Sequence, residues 1–325
     1  RSKQSPVARS AGRTSSNVQR SFGVKILVTG AMGQVGAELI QQGPNRGYEM
    51  LATDIDNLDI INQEAVNAYV AEHKPNLIIN AAAYTAVDKA ESESELAFSI
   101  NCDGAKHLAI ACNEANIPLF HISTDYVFDG DKDDAYSESD IPNPQSVYGK
   151  SKLKGDLAIE AALDEHLILR TSWVFSDRGR NFVKTMLRLG SEQEELRIVS
   201  DQRGCPTEAA SIAQVLLNLV HRLNEGVHFA WGTYHYCGQP PTAWQHFAEA
   251  IFEQAEKLAL IQHQPSIHPI TTEEFHAAAP RPKNASLNCS KITNELGITP
   301  PDWRVGLENT LKRIKSHIAF PTHRL

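Results

Sequence analysis

The sequence predicts a doubly wound α/β fold, a parallel sheet covered by helices on both faces, with a smaller α/β part after it. Three observations carry that prediction. Short apolar runs alternate with amphipathic stretches from Lys25 to Thr171, as in repeated βαβ units. Glycines separate the first apolar run from the first amphipathic stretch. Past Thr171 the alternation loosens although almost half of the chain is still to come.

The elements follow in order. Lys25–Thr29 (KILVT) is an apolar run of strand length, and a helix opens at Gln34. Met50–Asp54 reads as a second strand and Asn62–His73 as a helix that Pro75 ends. Leu77–Asn80 is a third strand. Leu96–Ala115 reads as one long helix with Ala97, Ile100, Ala105, Leu108 and Ala109 on one face. Pro118–Ser123 is a fourth strand, Ser146–Leu163 a helix and Leu167–Thr171 a fifth strand. Such continuous apolar runs suit strands buried on both faces of a parallel sheet. Beyond them, Asn181–Leu189, Ser211–Leu223, Trp244–Lys257, Ser290–Leu296 and Val305–Ile314 read as helices. Leu196–Ser200 and Tyr234–Cys237 read as strands, and Pro280-Arg281-Pro282 as a rigid loop.

Composition removes several classes of function. Of 325 residues, 42% are apolar and 22% charged, ordinary for a globular protein. No apolar run approaches the ~18 residues of a membrane span. Five cysteines are an odd number, widely spaced and without a C-x-x-C pair. That argues against a disulfide scaffold and a zinc cage, and fits a reducing cytosol. Thirteen histidines include no H-E-x-x-H, and a net charge of −8 argues against a nucleic-acid binder. Residues 1–23 hold five basic and no acidic residues and six serines. They are expected to be a disordered leader, read as over-translation upstream of Val24, a scar or a tag, with an organelle transit peptide as the alternative.

Gly30-Ala31-Met32-Gly33-Gln34-Val35-Gly36 is G-x-x-G-x-x-G, directly after a strand and directly before a helix. Glycines there permit a tight turn and let the backbone approach a pyrophosphate, while the helix N-terminus offers free N–H groups. Asp54, at the end of the second strand, is placed to accept hydrogen bonds from the adenosine ribose. Asp59 and Ile60 are candidates for the adenine, with a turn or cap as the plainer role for Asp59. Asn80-Ala81-Ala82-Ala83 leaves the third strand with small side chains against which a cofactor can lie. Residues 24–170, with returning segments around 204–237, are therefore expected to form the dinucleotide-binding domain. Residues 171–203 and 238–318 are expected to wall a substrate cleft at the carboxyl ends of the strands.

Tyr148-Gly149-Lys150-Ser151-Lys152 puts Tyr148 and Lys152 one helical turn apart on one face. A neighbouring ammonium favours the phenolate, so this tyrosine is expected to exchange a proton near neutral pH. Ser123 and Thr124 end the fourth strand, and one of their hydroxyls can hydrogen-bond the reacting oxygen.

With these residues the sequence resembles the extended short-chain dehydrogenase/reductase family, and within it the reductases of nucleotide-linked 4-keto sugars. The resemblance runs from Lys25 to about Ile314. Its most specific stretches are Asn80–Glu93, Ser123–Phe128, Val147–Lys150, Arg170–Val174 and Asn181–Leu187. It implies a Rossmann-type sheet and a catalytic set of Thr124, Tyr148 and Lys152. It also implies a pyrophosphate site at Gly33, Gln34 and Val35, and Ala83, Tyr84 and Thr85 along the cofactor. Thr124, Asp125 and Trp173 would meet a dTDP-sugar, with Asn181 and Arg281 as candidates for its diphosphate. The implied reaction is NAD(P)H-dependent reduction of a C4 ketone.

Asp54 argues for NADH, because a carboxylate repels the 2′-phosphate of NADPH and Ile55-Asp56-Asn57 supplies no arginine. NADPH is an accepted cofactor in many relatives, and here Arg46 or Lys89 would have to reach its phosphate. Some family members hold Mg²⁺ through glutamates at a dimer interface. Glu38 matches one such position, but Lys312-Arg313 stand where another acid is wanted, so no metal ligand is assigned and monomer and homodimer stay open. A dehydratase or epimerase on this fold wants a second acid after the active-site threonine, where this chain has Asp125 and then Tyr126. The rival from another class is a regulatory subunit that binds nucleotide without turnover.

Overall fold

The computed structural model describes residues 23–319. The leader expected at residues 1–23 lies outside them apart from Gly23. Strands β1 (Lys25–Thr29), β2 (Glu49–Thr53), β3 (Leu77–Asn80), β4 (Leu119–Thr124), β5 (His166–Thr171) and β6 (Gly232–His235) form one sheet. Its order is β6-β5-β4-β3-β1-β2, and every pairing is parallel. The chain leaves β1 toward one edge for β2 and returns on the other side for β3. The loops after β1 and β3 thus part, and a crevice opens at their carboxyl ends.

Alternate side chains of β1 feed two cores. Ile26 and Val28 join Leu39 of α1 (Gln34–Gln42) and, from further along the chain, Ile212 and Leu216. Leu27 joins Val66 of α2 (Gln63–His73), Leu108 of α3 (Ala105–Ala115) and Ile159 of α4 (Val147–Ala162). A third cluster gathers Phe175, Val183 of α5 (Phe182–Glu192), Phe247 and Ile251 of α7 (Trp244–Lys257), and Trp303 and Leu307 of α8 (Trp303–Ala319). Helix α6 (Ala209–Asn224) carries Ile212 and Leu216 onto α1. Side chains fix the helix starts: Asn62 accepts from Ala65 N–H and Ser146 from Gly149 N–H. Lys74 ends α2 in a left-handed conformation before Pro75.

The structure departs from the sequence expectations at three places. The long helix over 96–115 is instead a helix at Ser94–Phe98, a π-helical segment at Ser99–Gly104 and then α3. The widened turn lets Asn101 reach the Tyr84 backbone, accepting from its N–H at 2.8 Å and donating to its carbonyl at 3.0 Å. A parallel strand at Ser266–Ile270 pairs with Glu195–Val199. Its mostly exposed SIHPI sequence, with Pro269 inside, hides it from apolar patterning. The edge strand β6 spans Gly232–His235 rather than Tyr234–Cys237. Among the described residues, no helix is long and apolar enough to cross a membrane.

Candidate active site

The glycine turn is set by close approaches. Gly30 has φ +68°, and a Cβ there would lie 2.5 Å from Ala82 N. A Cβ on Gly36 would lie 2.1 Å from the Gly30 carbonyl oxygen, so only glycine lets the start of α1 close over the turn. No side chain caps α1, which leaves its first N–H groups to an anion. A groove of about 350 Å³ runs from this turn along Asp54, Leu58, Asp59, Ile60 and Ala82. Asp54 accepts from the N–H groups of Met32 and Ile55 at 2.9 Å each, which holds its carboxylate at the groove. Asp59 accepts from Ile61 N–H, a turn role, while also lining the groove. These surfaces suit an adenosine and a pyrophosphate.

A second cleft, of about 670 Å³, continues from the first, and Met32, Gly33, Ala81 and Ala83 line both. Around it stand Gln34, Val35, Thr85, Thr124, Tyr148 and Lys152. Thr124 comes from the end of β4, Tyr148 and Lys152 from the first turns of α4. Tyr84, expected along the cofactor, turns its hydroxyl to Glu93 at 2.5 Å, a bond that raises the phenol pKa to about 12.

Burial sets the protonation of the cleft. It pushes the Tyr148 phenol above its ordinary value, against the Thr124 hydroxyl beside it. It pulls Lys152 from 10.5 to about 8. Lys152 Nζ donates to the Ile122 carbonyl at 2.7 Å and lies 3.0 Å from His121 Nε2. Against the expectation that Lys152 draws the phenol down, burial is the dominant influence on Tyr148, and Lys152 Nζ is engaged with β4 instead. Thr124 donates to Asp125 at 2.8 Å and Ser172 donates to the same carboxylate at 2.7 Å. Burial still raises Asp125 to about 6. Ser123 donates to Asp156 at 2.8 Å, so each of the two hydroxyls ending β4 donates to a carboxylate, and both residues line the cleft.

The outer wall is aromatic and basic. Trp173, at φ +45°, stacks on Trp244 with centroids 3.4 Å apart and planes 7° from parallel. Asn181 caps α5 and donates to Gln34, tying the wall to α1. Arg281 reaches the cleft but pairs with Asp88 at 2.8 Å. Arg46 donates to Asn218 on α6, away from Asp54.

Glu38 does not join a metal set. Arg313 of α8 pairs with it and lies 2.9 Å from Asp177, and burial raises nearby Glu208 to about 7 against the Arg313 charge. A divalent ion at Glu38 would meet a guanidinium, so no chemistry is derived through one. Among the described residues no acid, histidine and cysteine cluster suits a metal.

Four residues of the site went unread in the sequence. His121 had a signal, the lone ionisable group in the apolar run of β4. Asn101, Trp244 and Arg180, which lines the cleft mouth, had none, because only the fold brings them there.

Known proteins share this architecture. The family described as RmlD substrate binding domain matches residues 24–316. The chain is 43% identical to a dTDP-4-dehydrorhamnose reductase of Aggregatibacter actinomycetemcomitans over 88% of this chain and 97% of that one. A dTDP-4-dehydrorhamnose reductase structure from Clostridium acetobutylicum superposes with a TM-score of 0.83 at 40% identity, covering 90% of this chain and 99% of that one. A Bacillus anthracis dTDP-4-dehydrorhamnose reductase in complex with NADP superposes with a TM-score of 0.83 at 37% identity, over 90% and 99%.

Proposed function

The chain belongs to the dTDP-4-dehydrorhamnose reductase family, and from that premise we propose that it reduces the C4 ketone of dTDP-4-dehydro-L-rhamnose to give dTDP-L-rhamnose. The observation that carries this reading is the meeting of Thr124, Tyr148 and Lys152 in one cleft continuous with the glycine turn. The turn, the small side chains at Ala81–Ala83 and the Asp54 carboxylate fit a nicotinamide dinucleotide. When bound, the reduced nicotinamide supplies the hydride that the C4 carbon receives.

The chain's own residues handle the proton and the orientation. Tyr148 keeps its proton in the resting site because burial disfavours the phenolate. An alkoxide is a stronger base than a phenolate, so the proton passes to the C4 oxygen as charge develops there. Lys152 holds the nicotinamide ribose, and its charge steadies the phenolate left behind. By turning its proton away from Asp125, the Thr124 hydroxyl donates to the carbonyl oxygen and orients it. Gly30, Gly33, Gln34, Val35 and Gly36 hold the pyrophosphate; Asp54, Asp59 and Ile60 the adenosine; Ala83, Tyr84 and Thr85 the far side of the cofactor. Asp125 and Trp173 face the sugar, with Asn181 and Arg281 toward the diphosphate.

Residues 24–170 with α6 and β6 form the cofactor half, and residues 171–203 and 238–318 the substrate wall. NADH is the preferred coenzyme, supported by Asp54 and by Arg46 being occupied elsewhere. The five free cysteines support work in a reducing cytosol.

The test is coenzyme oxidation by the purified protein with dTDP-4-dehydro-L-rhamnose, followed by absorbance, with the product identified by mass spectrometry. Failure with that substrate and with the GDP and UDP counterparts would overturn the reading.

A further inference from the structure

Away from the cleft, three cysteines converge where the end of β6 meets the helix at Ser290–Leu296. Cys237 Sγ lies 3.6 Å from Cys289 Sγ, although 52 residues separate them. Cys205, from the Gly204–Thr207 strap, lies within hydrogen-bonding reach of Cys237. The Gln239 amide donates to Cys237 Sγ at 3.4 Å and to the Leu287 carbonyl at 3.3 Å. Cys237 and Cys205 are fully buried, whereas Cys289, itself only 6% exposed, lines a separate, open pocket of about 460 Å³ with Gln239, Asn288 and Ser290. No residue of that pocket lines the catalytic cleft.

We propose that Cys289 and Cys237 form a peroxide-reactive dithiol, with Cys289 as the attacking thiol and Cys237 as the resolving one. Three features assign the roles. Only Cys289 opens on a pocket that admits a small hydroperoxide. Its partner sulfur is already at van der Waals distance, from which the pair closes to a bond of about 2.0 Å. The hydrogen bond from Cys237 also holds Cys289 below the ordinary thiol value against its burial, while burial pushes Cys237 well up. The thiolate, which is the nucleophile, therefore forms on the accessible sulfur.

The chemistry balances with a hydroperoxide as oxidant. Cys289 thiolate attacks one peroxide oxygen, the O–O bond breaks, and the leaving hydroxide takes up a proton as water. The resulting sulfenic acid is attacked by Cys237 sulfur. An S–S bond forms, the S–O bond breaks, and a second water leaves with the Cys237 proton. Both sulfurs are oxidised and the peroxide is reduced. A reducing thiol reverses the bond by exchange.

The experiment uses the full chain, reduced and then exposed to hydrogen peroxide, with peptide mapping under non-reducing conditions. The expected product is a Cys237–Cys289 linked peptide that dithiothreitol removes. In native wild type, iodoacetamide should label Cys289 at least about tenfold faster than buried Cys112 or Cys205. Cys237→Ser should leave a dimedone adduct on Cys289, and Cys289→Ser should abolish both link and adduct. The proposal is overturned if Cys237 and Cys289 stay free while half-buried Cys102 oxidises. It is also overturned if Cys237 carries the adduct, or if Cys205–Cys237 is the link. The wild-type map and labelling order decide the matter even where a serine variant does not fold, and no turnover measurement enters.

Discussion

His121 Nε2 lies 3.0 Å from Lys152 Nζ in the core beneath the cleft. Burial and the Lys152 charge hold this histidine well below its ordinary pKa, so it is a neutral ring whose other nitrogen meets Asn80 Nδ2 at 2.9 Å. Asn80 in turn accepts from Ala82 N–H and Thr29. The lysine of the proposed catalytic set is thereby anchored to the same strand ends that shape the proposed cofactor groove. Replacing His121 with phenylalanine leaves the Asn80 amide and one face of Lys152 without a partner, which costs about 1–3 kcal/mol. Urea denaturation should show that loss, and the Kd for coenzyme should rise with it. Unchanged stability and affinity would mean that the ring is only a filler.

Tyr148→Phe removes the proposed proton donor but keeps the ring packed edge-on against Tyr126 at 5.4 Å. The kcat should fall by about 10²–10⁴-fold. Coenzyme affinity, read by fluorescence titration, and Tm should stay near wild type. Retention of most activity would place the donor elsewhere.

Burial pulls Lys152 down to about 8, and its proposed role needs the ammonium. The kcat/KM profile, which reports the free enzyme, should therefore fall as pH rises through about 8. Lys152→Arg keeps the charge at every accessible pH. Whatever activity that variant retains should lack this limb, and a limb left in place would assign it to another group.

Asp125 gives a stability signature of opposite character. Its carboxyl is raised from 3.8 to about 6 by burial. Across that window the folded chain keeps a proton that the unfolded chain has lost, so stability falls as pH rises through it. The contribution is at most about 3 kcal/mol. Glu208 behaves alike toward about 7, so the readout is the difference between Asp125→Asn and wild type. The variant should gain Tm relative to wild type from about pH 4 to about pH 7.

The proposed coenzyme preference rests on Asp54. The kcat/KM for NADH should exceed that for NADPH by roughly tenfold to a hundredfold, and Asp54→Ala should lose much of that preference. A wild type that favours NADPH would mean that a basic residue, Arg46 or Lys89, reaches the 2′-phosphate and that Asp54 points away; Arg46 would have to leave Asn218 to do so.

What could be read before the fold was known is what lies within one turn or one strand. The glycine spacing and the Tyr148/Lys152 pair are local, and the apolar runs of β1, β3, β4 and β5 are buried on both faces as their composition requires. The strand at Ser266–Ile270 was invisible because its residues are mostly exposed. The electrostatics were also invisible. That burial would raise Tyr148 rather than let Lys152 lower it depends on β4, where His121 stands 31 residues from the lysine it holds. Trp173 was legible as a wall residue, but its stack on Trp244 joins segments that no short motif connects.

The Glu38–Arg313 pair joins positions 275 residues apart. Glu38 is 2% exposed and sits on the helix that opens at the glycine turn. A buried carboxylate without its cation is costly, and this cation arrives only with α8. The helix that opens at the glycine turn is therefore tied, through one guanidinium, to a helix from the far part of the sequence, so the phosphate turn and α8 share their stability. Loosening α8 would leave Glu38 with only the Gln42 amide beside it, and the start of α1 would feel a change made 275 residues away.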